Sequence, residues 1–405
     1  MQAEELSPWL HLLGSVSRAG ARRLLARHGS PQDVLAAGPH GWSDLLKPDQ
    51  IQALQAGPAK LPALVQRTLA WLEGSESRSI LLLGDDDYPA PLLHTADPPL
   101  MLYLDGRREL LGRRAMAVVG SRRPSPQGED NAKSFAQGLG KAGFCVVSGL
   151  AMGIDGAAHE GALHTEGGTL AVLGTGLDEV YPLEHAALAR AIARRGLLMS
   201  EYFIGTPPLA PNFPQRNRII AGLAEGCLVV EAAMKSGSLI TARLASEAGR
   251  EVFAVPGSIH STQSKGCHYL LKQGACLVQE LDDLLAELPD GGASRTEAAR
   301  GPETAKKLSG SATGRARNGP NGRLEAPKSP RTDAKQTPTL AQQGDLLAEE
   351  HPLLRALGHE QVSLEQLSQR TGWPLDELSA TLLDLELEGH IARLPGALFQ
   401  RRGRS

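Results

Sequence analysis

Between residues 116 and 279 the chain alternates short apolar runs with polar loops and longer amphipathic stretches. The apolar runs are rich in valine and leucine, and they lie at 116–120 (MAVVG), 144–149 (FCVVSG), 169–174 (TLAVLG), 197–202 (LLMSEY), 227–231 (CLVVE), 251–255 (EVFAV) and 275–279 (ACLVQ). Continuous apolar runs of this length are typical of parallel strands that are buried on both faces. The intervening stretches have the length of crossover helices, about 10–15 residues. The pattern predicts the α/β class, with a Rossmann-like doubly wound parallel sheet core over residues 80–288.

The segment before this core has a helical pattern. Residues 1–79 are rich in alanine and leucine, and LHLLGSVSRAGARRLLARHGS (10–30) predicts a helix, a glycine-containing turn and a second, arginine-rich helix. This resembles a degenerate helix-hairpin-helix or SAM-like domain, whose turn can hold a DNA backbone. A small helical bundle with a solvated basic face is the alternative. Residues 80–112 predict an irregular, proline-rich lead-in, in which Asp85–Asp87 form a solvated acidic turn.

Two segments follow the core. Residues 289–342 contain ten Lys/Arg and four Asp/Glu between 291 and 340, a local charge of 10 − 4 = +6, and they lack hydrophobic periodicity. They predict a disordered basic linker. Residues 343–405 predict three helices and a hairpin, the order of a winged-helix domain. The third helix is acidic, and negative charge is repelled by phosphates, so we expect protein interaction or an accessory role instead of major-groove binding; its acids are Asp376, Glu377, Asp384, Glu386 and Glu388.

Polar residues cluster where the predicted strands end. The carboxyl ends of parallel strands meet at one edge of the sheet, where ligands of such folds bind. Arg122, Arg218 and Lys235 all fall at this edge. The helices that start after Gly153 and Gly237 follow small flexible turns, and we expect their first N–H groups to face phosphate there. The sequence therefore predicts a phosphate-binding edge. The candidate residues are Ser121, Arg122, Arg123, Gly149, Gly153, Phe213, Arg216, Asn217, Arg218, Lys235, Ser236, Gly237 and Ser238.

Other kinds of site are disfavoured by the sequence. There is no G-x-x-x-x-G-K-[ST] loop, no G-x-G-x-x-G followed by an acidic residue, and no serine in a nucleophile-elbow context. His159 and His164 stand five apart, on different sides of a helix, and so predict no metal pair. We expect no catalytic residue, no metal and no cofactor.

Composition sets further limits. The 405 residues predict two to three domains, and the net charge of −3 means that a polyanion must be held by a local patch. The four cysteines form no C-x-x-C pair and suit buried thiols in a reducing cytosol. No apolar run reaches the roughly 18 residues of a membrane span. The sequence predicts a cytoplasmic protein that does not bind a membrane.

Six stretches of the core carry a resemblance to a known family. They are VVGSRRPSPQG, VVSGLAMGIDGAAH, LGTGLDEVYPLEH, SEY, NFPQRNRIIAGLAE and VVEAAMKSGSLITARLASEAGREVFAVPGS. Motif by motif they resemble the DNA-processing protein A (DprA/Smf) family, over about 80–288. The resemblance implies a homodimer, formed through the Rossmann-like core, that binds single-stranded DNA and protects incoming DNA. It also implies that the protein loads RecA recombinase onto this DNA during natural transformation and recombination in competent cells.

The resemblance also implies roles for individual residues. The family's strand-end arginine falls on Arg122 and its aromatic residue on Phe213. Its arginine-asparagine-arginine segment falls on 216–218, and its K-S-G-S turn falls on 235–238. One position departs from the family: relatives place a lysine about three residues before the aromatic residue, where this chain has Ala210.

The residues by themselves fit this function, because single-strand binding needs a cationic track for phosphates and a stacking surface. A rival from another class is a nucleotide-monophosphate phosphoribohydrolase of the same fold group. Its catalytic carboxylate is expected four residues after the glycine of the turn, where this chain has Thr241, so Glu247 would have to substitute. A purely structural interaction protein would leave the clustered cations unexplained.

Overall fold

The computed structural model describes residues 2–288 and much of 352–401, with gaps at 359, 376–377, 379–380, 383–384, 387–389 and 395–397. The predicted linker at 289–342 lies outside the described residues. The helices and strands are numbered below in chain order.

The N-terminal segment is helical, as the sequence predicts, and the structure divides it into five helices. They are α1 (Ala3–Ser15), α2 (Arg18–His28), α3 (Pro31–Trp42), α4 (Pro48–Ala56) and α5 (Leu61–Glu73). Their apolar faces bury Leu24, Trp42 and Leu54 in a common core. Ser17 caps the start of α2 by accepting a hydrogen bond from the amide of Gly20, which explains why the second helix begins directly after this serine.

The rest of the chain up to residue 288 is organised around a nine-stranded sheet with the order β1-β2-β6-β5-β4-β3-β7-β8-β9. The strands are β1 (Arg78–Leu82), β2 (Met101–Gly106), β3 (Ala115–Val119), β4 (Cys145–Ser148), β5 (Thr169–Leu173), β6 (Leu197–Ser200), β7 (Gly226–Val229), β8 (Glu251–Ala254) and β9 (Cys276–Leu277). The seven runs that predicted strands coincide with β3–β9, which are paired in parallel.

Helices cover both faces of this sheet. They are α6 (Ala90–Leu93), α7 (Pro126–Lys141), α8 (Ile154–Ala162), α9 (Ala186–Arg195), α10 (Asn212–Leu223), α11 (Ser238–Glu247), α12 (Lys265–Lys272) and α13 (Leu281–Glu287). Along β3, Met116 and Val118 pack under α7 and α8, whereas Ala117 and Val119 pack in the core under α10 and α11. This alternation confirms the doubly wound α/β fold. No helix within the described ranges is long and apolar enough to cross a membrane.

The prediction of an irregular lead-in at 80–112 is wrong in part. Residues 78–82 and 101–106 form β1 and β2, which pair antiparallel with each other, and β2 continues antiparallel onto β6. The prolines that disfavoured strands lie in the connection between them. Within that connection the acidic turn forms a salt bridge, because Arg108 donates to both carboxylate oxygens of Asp87 at 2.5 and 2.7 Å.

Arginines of the N-terminal helices contact the lead-in instead of remaining solvated. Asp97 accepts a hydrogen bond from Arg18 at 2.9 Å and another from Arg22. Arg218 of α10 forms an ion pair with the same carboxylate at 3.1 Å and a further one with Glu201. This group of residues, called the Asp97 network below, joins the helical domain, the lead-in and the sheet core.

The C-terminal domain has the winged-helix order. Its described elements are α14 (Pro352–Leu357), β10 (Val362–Ser363), α15 (Leu364–Thr371), β11 (Ile391–Leu394) and β12 (Leu398–Arg401), with the three strands antiparallel in the order β10-β12-β11. Residues 375, 378, 381–382 and 385–386 are helical, in agreement with the predicted third helix. Of its five acids, Glu386 is described and the other four lie outside the described residues. Arg370 contacts α7, donating to Gln127 at 3.1 Å and to Asp130 at 3.4 Å.

The Asp97 network generates a prediction on stability. We expect Asp97→Asn to lower the free energy of unfolding by roughly 1–3 kcal/mol, because three partly buried arginines lose their shared anion. Urea denaturation at pH 7 measures the change. Asp86→Asn, an exposed acid of the same segment, is the control, and equal effects of the two substitutions would contradict the assignment.

The network also sets a direction of pH dependence. Burial by itself would raise the pKa of Asp97, but Arg218, Arg22 and Arg18 outweigh it, so the pKa lies below its usual value. A lowered folded-state pKa gives stability that is present above the unfolded value of about 3.9 and is lost as pH falls through the folded value. The difference between wild type and Asp97→Asn should therefore shrink under acid conditions.

Candidate nucleic-acid interface

A cleft of about 790 Å³ opens where β3, β4 and β7 end. The chain adds strands from β3 through β6 on one side of β3 and then places β7 on the other side, so the cleft lies at the point where the strand order reverses. Ligands of doubly wound sheets bind at such points. Ten of the thirteen predicted residues line the cleft: Ser121, Arg122, Arg123, Phe213, Arg216, Asn217, Lys235, Ser236, Gly237 and Ser238.

The loop after β3 carries two exposed cations, Arg122 and Arg123. Glu231, which follows β7, fixes the end of this loop by accepting hydrogen bonds from the amide of Ser125 at 2.9 Å and from its hydroxyl at 2.6 Å. Gln263 donates to the carbonyl oxygen of Arg123 at 3.0 Å. Burial raises the pKa of Glu231, although the two hydrogen bonds from Ser125 oppose it. The two guanidinium groups are therefore presented from a backbone that is anchored to neighbouring elements.

Gly149 is held from both sides by the buried side chains of Asp155 and Arg216. Its amide donates to Asp155 at 3.1 Å, and its carbonyl oxygen accepts from Arg216 at 2.7 Å. A Cβ atom at this position would lie 2.5 Å from the Arg216 guanidinium. Gly149 is thus required for the close approach of a buried arginine, and it does not line the cleft itself.

A glycine is required at position 153 for a different geometric reason. Its φ of 77° lies in the left-handed region, and a Cβ there would lie 2.4 Å from the carbonyl oxygen of Ser121. That same oxygen accepts the amide of Ile154 at 3.1 Å, and the amide of Gly156 donates to Ala151 at 3.2 Å. The expectation that the start of α8 presents its N–H groups to phosphate is therefore wrong for these two groups, because both are engaged within the protein.

His159 supports the same loop from beneath. It is fully buried, and its Nε2 atom accepts the amide of Leu150 at 3.3 Å while Nδ1 lies 2.7 Å from the hydroxyl of Thr169. Burial lowers the pKa of His159 to about 3, so the ring is neutral at physiological pH. His159 is therefore a neutral polar residue of the interior. Among the described residues no group of three or more His, Cys, Asp or Glu is arranged to hold a metal.

The two arginines of the arginine-asparagine-arginine segment have separate structural roles. Arg216 is 5% exposed. It donates to the carbonyl oxygen of Gly149, which follows β4, and to that of Val172, which lies near the end of the adjacent strand β5. Burial lowers its pKa to about 10, against the opposing effect of Asp155, so it stays charged at neutral pH. Arg218 does not line the cleft. Its guanidinium belongs to the Asp97 network, so the predicted contribution of Arg218 to a phosphate track is not supported.

The turn after β7 offers side chains to the cleft, whereas most of its backbone amides are bonded within the turn. Lys235 is exposed at the cleft. The amides of Ser236, Leu239 and Ile240 donate within the turn at 2.9 to 3.2 Å, so the predicted amide cradle is largely satisfied internally. Asn217 ties the turn to α10 by donating to the carbonyl oxygen of Gly237 at 3.4 Å. The hydroxyls of Ser236 and Ser238 lie 2.6 Å apart beside it.

Sequence reasoning missed three residues that shape the cleft. Asp155 lines it and fixes Gly149, Glu231 anchors the loop of Arg122, and Tyr181 packs against Phe213 with ring centroids 5.5 Å apart. Each follows a strand end or opens the next helix, so position relative to the strands was the available signal. Their partners are distant in sequence and were not readable from it.

Three exposed cations and an aromatic surface thus line one cleft at the switch point of a doubly wound sheet. This combination defines an α/β protein with a cationic cleft at the topological switch point of its sheet. The sequence model described as DNA recombination-mediator protein A matches residues 79–289, and the one described as DprA winged helix domain matches residues 335–397. The chain belongs to the DNA recombination-mediator protein A family.

Individual relatives agree with the family assignment. Protein Smf of Escherichia coli (strain K12) is 39% identical over 339 residues, which are 84% of this chain and 81% of that protein. The DNA processing protein DprA of Streptococcus pneumoniae (strain R6) is 50% identical over 203 residues, 50% of this chain and 72% of the relative. The X-ray structure of DNA processing protein A from Streptococcus pneumoniae superposes with a TM-score of 0.61 at 36% identity, covering 72% of this chain and 99% of that one.

Buried and exposed arginines of the cleft should respond differently to substitution. We expect Arg216→Ala to lower the free energy of unfolding by about 3 kcal/mol, because Asp155 and two carbonyl oxygens lose a buried partner. The exposed Arg122→Ala should change it by less than about 0.5 kcal/mol. Chemical denaturation of both variants tests this, and a similar loss for the two would refute the separation of roles.

Proposed function

We propose that this protein binds single-stranded DNA in the cleft and delivers it to a recombinase in natural transformation and recombination. The observation that carries the proposal is that Arg122, Arg123 and Lys235, all exposed, line the same cleft as Phe213. Cations on one track with an aromatic surface are the elements of single-strand binding. The names of the relatives, DNA processing protein and DNA recombination-mediator protein, support the same function.

Each group has a distinct role in this proposal. Arg122 and Arg123 neutralise successive phosphates from one side of the cleft, and Lys235 does so from the other. The hydroxyls of Ser121, Ser236 and Ser238 and the amide of Asn217 donate hydrogen bonds to phosphate or sugar oxygens. Gly149 and Gly153 act indirectly, by allowing the loop after β4 to pack tightly beneath the cleft.

Little sequence specificity is expected from such a cleft. Phosphate contacts fix the position of a strand without reading its bases. Each neutralised phosphate releases counterions, so affinity falls steeply with salt. With about three neutralised phosphates per subunit, affinity at one site is modest, and two sites on one strand gain by effective concentration.

The second site comes from a homodimer through the sheet core. β9 is the last strand of the sheet, and its residue Leu277 is 50% exposed, while Tyr269 of α12 is 46% exposed. Apolar side chains at an open sheet edge fit an interface with a second copy of the chain. A dimer that holds one strand at two clefts gives RecA recombinase a straightened stretch of DNA on which to nucleate.

The alternative is a phosphoribohydrolase that uses the same cleft. The position of the expected carboxylate is occupied by Thr241, which is 2% exposed. Glu247, the possible substitute, forms an ion pair with Arg243 at 2.7 Å and does not line the cleft. These observations favour strand binding over hydrolysis.

Fluorescence anisotropy of a labelled oligo-dT across a salt series tests the proposal. We expect salt-dependent binding by wild type and a loss of about tenfold or more for Arg122→Ala and for Lys235→Ala, equivalent to about 1.4 kcal/mol. Each variant should also have a shallower salt dependence, because one phosphate contact is removed.

Arg194→Ala, an exposed cation in the last turn of α9 that does not line the cleft, serves as the matched control and should bind as wild type does. Unchanged binding by Arg122→Ala would remove the cleft from the proposal. Release of free base from a nucleoside monophosphate, with no strand binding, would establish the hydrolase instead.

The dimer is tested by Leu277→Arg, which places a charge at the proposed interface. We expect a shift from dimer to monomer in sedimentation velocity and fewer RecA filaments nucleated on single-stranded DNA. Leu93→Arg is the control, because Leu93 is likewise 50% exposed but lies on α6. A dimer that persists in Leu277→Arg would place the interface elsewhere.

A further inference from the structure

The aromatic ring that the family resemblance points to is largely covered within the protein. A Cβ atom on Gly174 would lie 2.9 Å from the ring of Phe213, so this ring rests directly on the backbone after β5. The Arg122 guanidinium lies 6.0 Å from its centroid, and the ring of Tyr181 lies 5.5 Å away at 47°. Phe213 therefore has three neighbours around it before any ligand arrives.

Tyr181 has the opposite environment. It lines the same cleft and is 45% exposed, although an aromatic ring is costly to leave in water. Its inner side packs on Phe213, which leaves its outer surface facing the cleft. Most of the accessible aromatic surface of the cleft thus belongs to Tyr181.

The segment that carries Tyr181 is fixed by hydrogen bonds on either side of the ring. The hydroxyl of Thr175 donates to the carbonyl oxygen of Glu179 at 2.6 Å, and Asp178 accepts the amide of Gly205 at 2.7 Å. Beyond the ring, Nδ1 of His185 lies 2.9 Å from the carbonyl oxygen of Leu150. The exposed ring is therefore presented from an ordered backbone, which lowers the entropy lost on binding.

We propose that Tyr181 is the stacking surface of the cleft and that Phe213 is a positioning residue beneath it. The proposal rests on the proposed single-strand function and names the ligand group involved, the face of a nucleobase. Phe213 supports Tyr181 on one side and Arg122 on another, so that base stacking and phosphate neutralisation occur at neighbouring positions on the strand.

The surroundings of the ring favour stacking over recognition of base edges. Pro208 and Ala210 line the cleft with it and offer no side-chain hydrogen-bond donor or acceptor. Every base has a π face, so a surface of this kind accepts all four bases. Ala210 carries no charge beside Tyr181 in the cleft, so stacking contributes a larger share of the binding free energy there.

The test compares two ligands of equal length and charge: oligo-dT and an abasic deoxyribose-phosphate oligomer. We expect wild type to bind oligo-dT more tightly than the abasic strand. Tyr181→Ala should lose roughly tenfold in affinity for oligo-dT, with little change for the abasic strand and with an unchanged salt dependence. Tyr181→Phe should bind both strands as wild type does, because the ring is retained.

Phe213→Ala separates the two roles. Since this ring supports Arg122 as well as Tyr181, its removal should weaken binding to both ligands. A strand carrying 2-aminopurine provides a second readout: stacking quenches its fluorescence in wild type, and the quenching should be lost in Tyr181→Ala.

Specific results would overturn the proposal. If Tyr181→Ala binds oligo-dT as wild type does, or loses affinity for both strands equally, Tyr181 is not the stacking surface. If wild type binds the two ligands equally, the cleft binds a strand through its phosphates and sugars alone. If wild type binds neither ligand, the proposed function itself fails, and the Tyr181 proposal fails with it.

Discussion

The cleft depends on one buried cation. Arg216 lies at the centre of the sheet's carboxyl edge and binds the carbonyl oxygens of Gly149 and Val172, which belong to the ends of neighbouring strands. Asp155 offsets part of the cost of burying this charge and fixes the amide side of the same glycine. Because a buried guanidinium with fixed partners cannot shift freely, it sets the position of the loop after β4, and the loop after β3 packs on that loop at Gly153.

Burial divides the cations around the cleft into two groups, those bonded within the protein and those exposed at the cleft. The guanidinium groups of Arg216 and Arg218 are both bonded within the protein. Arg216 donates to carbonyl oxygens, and Arg218 belongs to the Asp97 network. Arg122, Arg123 and Lys235 are exposed and line the cleft. A chain with a net charge of −3 thereby concentrates positive charge at one cleft.

The N-terminal helices belong to the same arrangement. Arg18 and Arg22 face Asp97, so these two cations join the helical domain to the sheet core. The Asp97 network also positions the loop that precedes α10, through Glu201 at the end of β6. The helical domain and the cleft are thus connected through α10, which carries Phe213 and Arg216 on the side of the cleft and Arg218 on the side of the network.

The sequence by itself determined the seven parallel strands, the helices between them and the cluster of candidate residues at one edge. Buried strands leave continuous apolar runs, and parallel strands place their carboxyl ends together, so both features are local patterns with a necessary geometric consequence. The tertiary structure decided which side chains remain accessible. Arg216 and Arg218 are two positions apart and look alike in sequence, but their partners come from residues 97, 149, 172 and 201. The same holds for β1 and β2, whose short apolar runs at 80–83 and 100–104 are separated by a proline-rich connection and pair only in the folded chain. It also holds for Phe213, which is covered by Gly174 and Tyr181 because distant loops pack together.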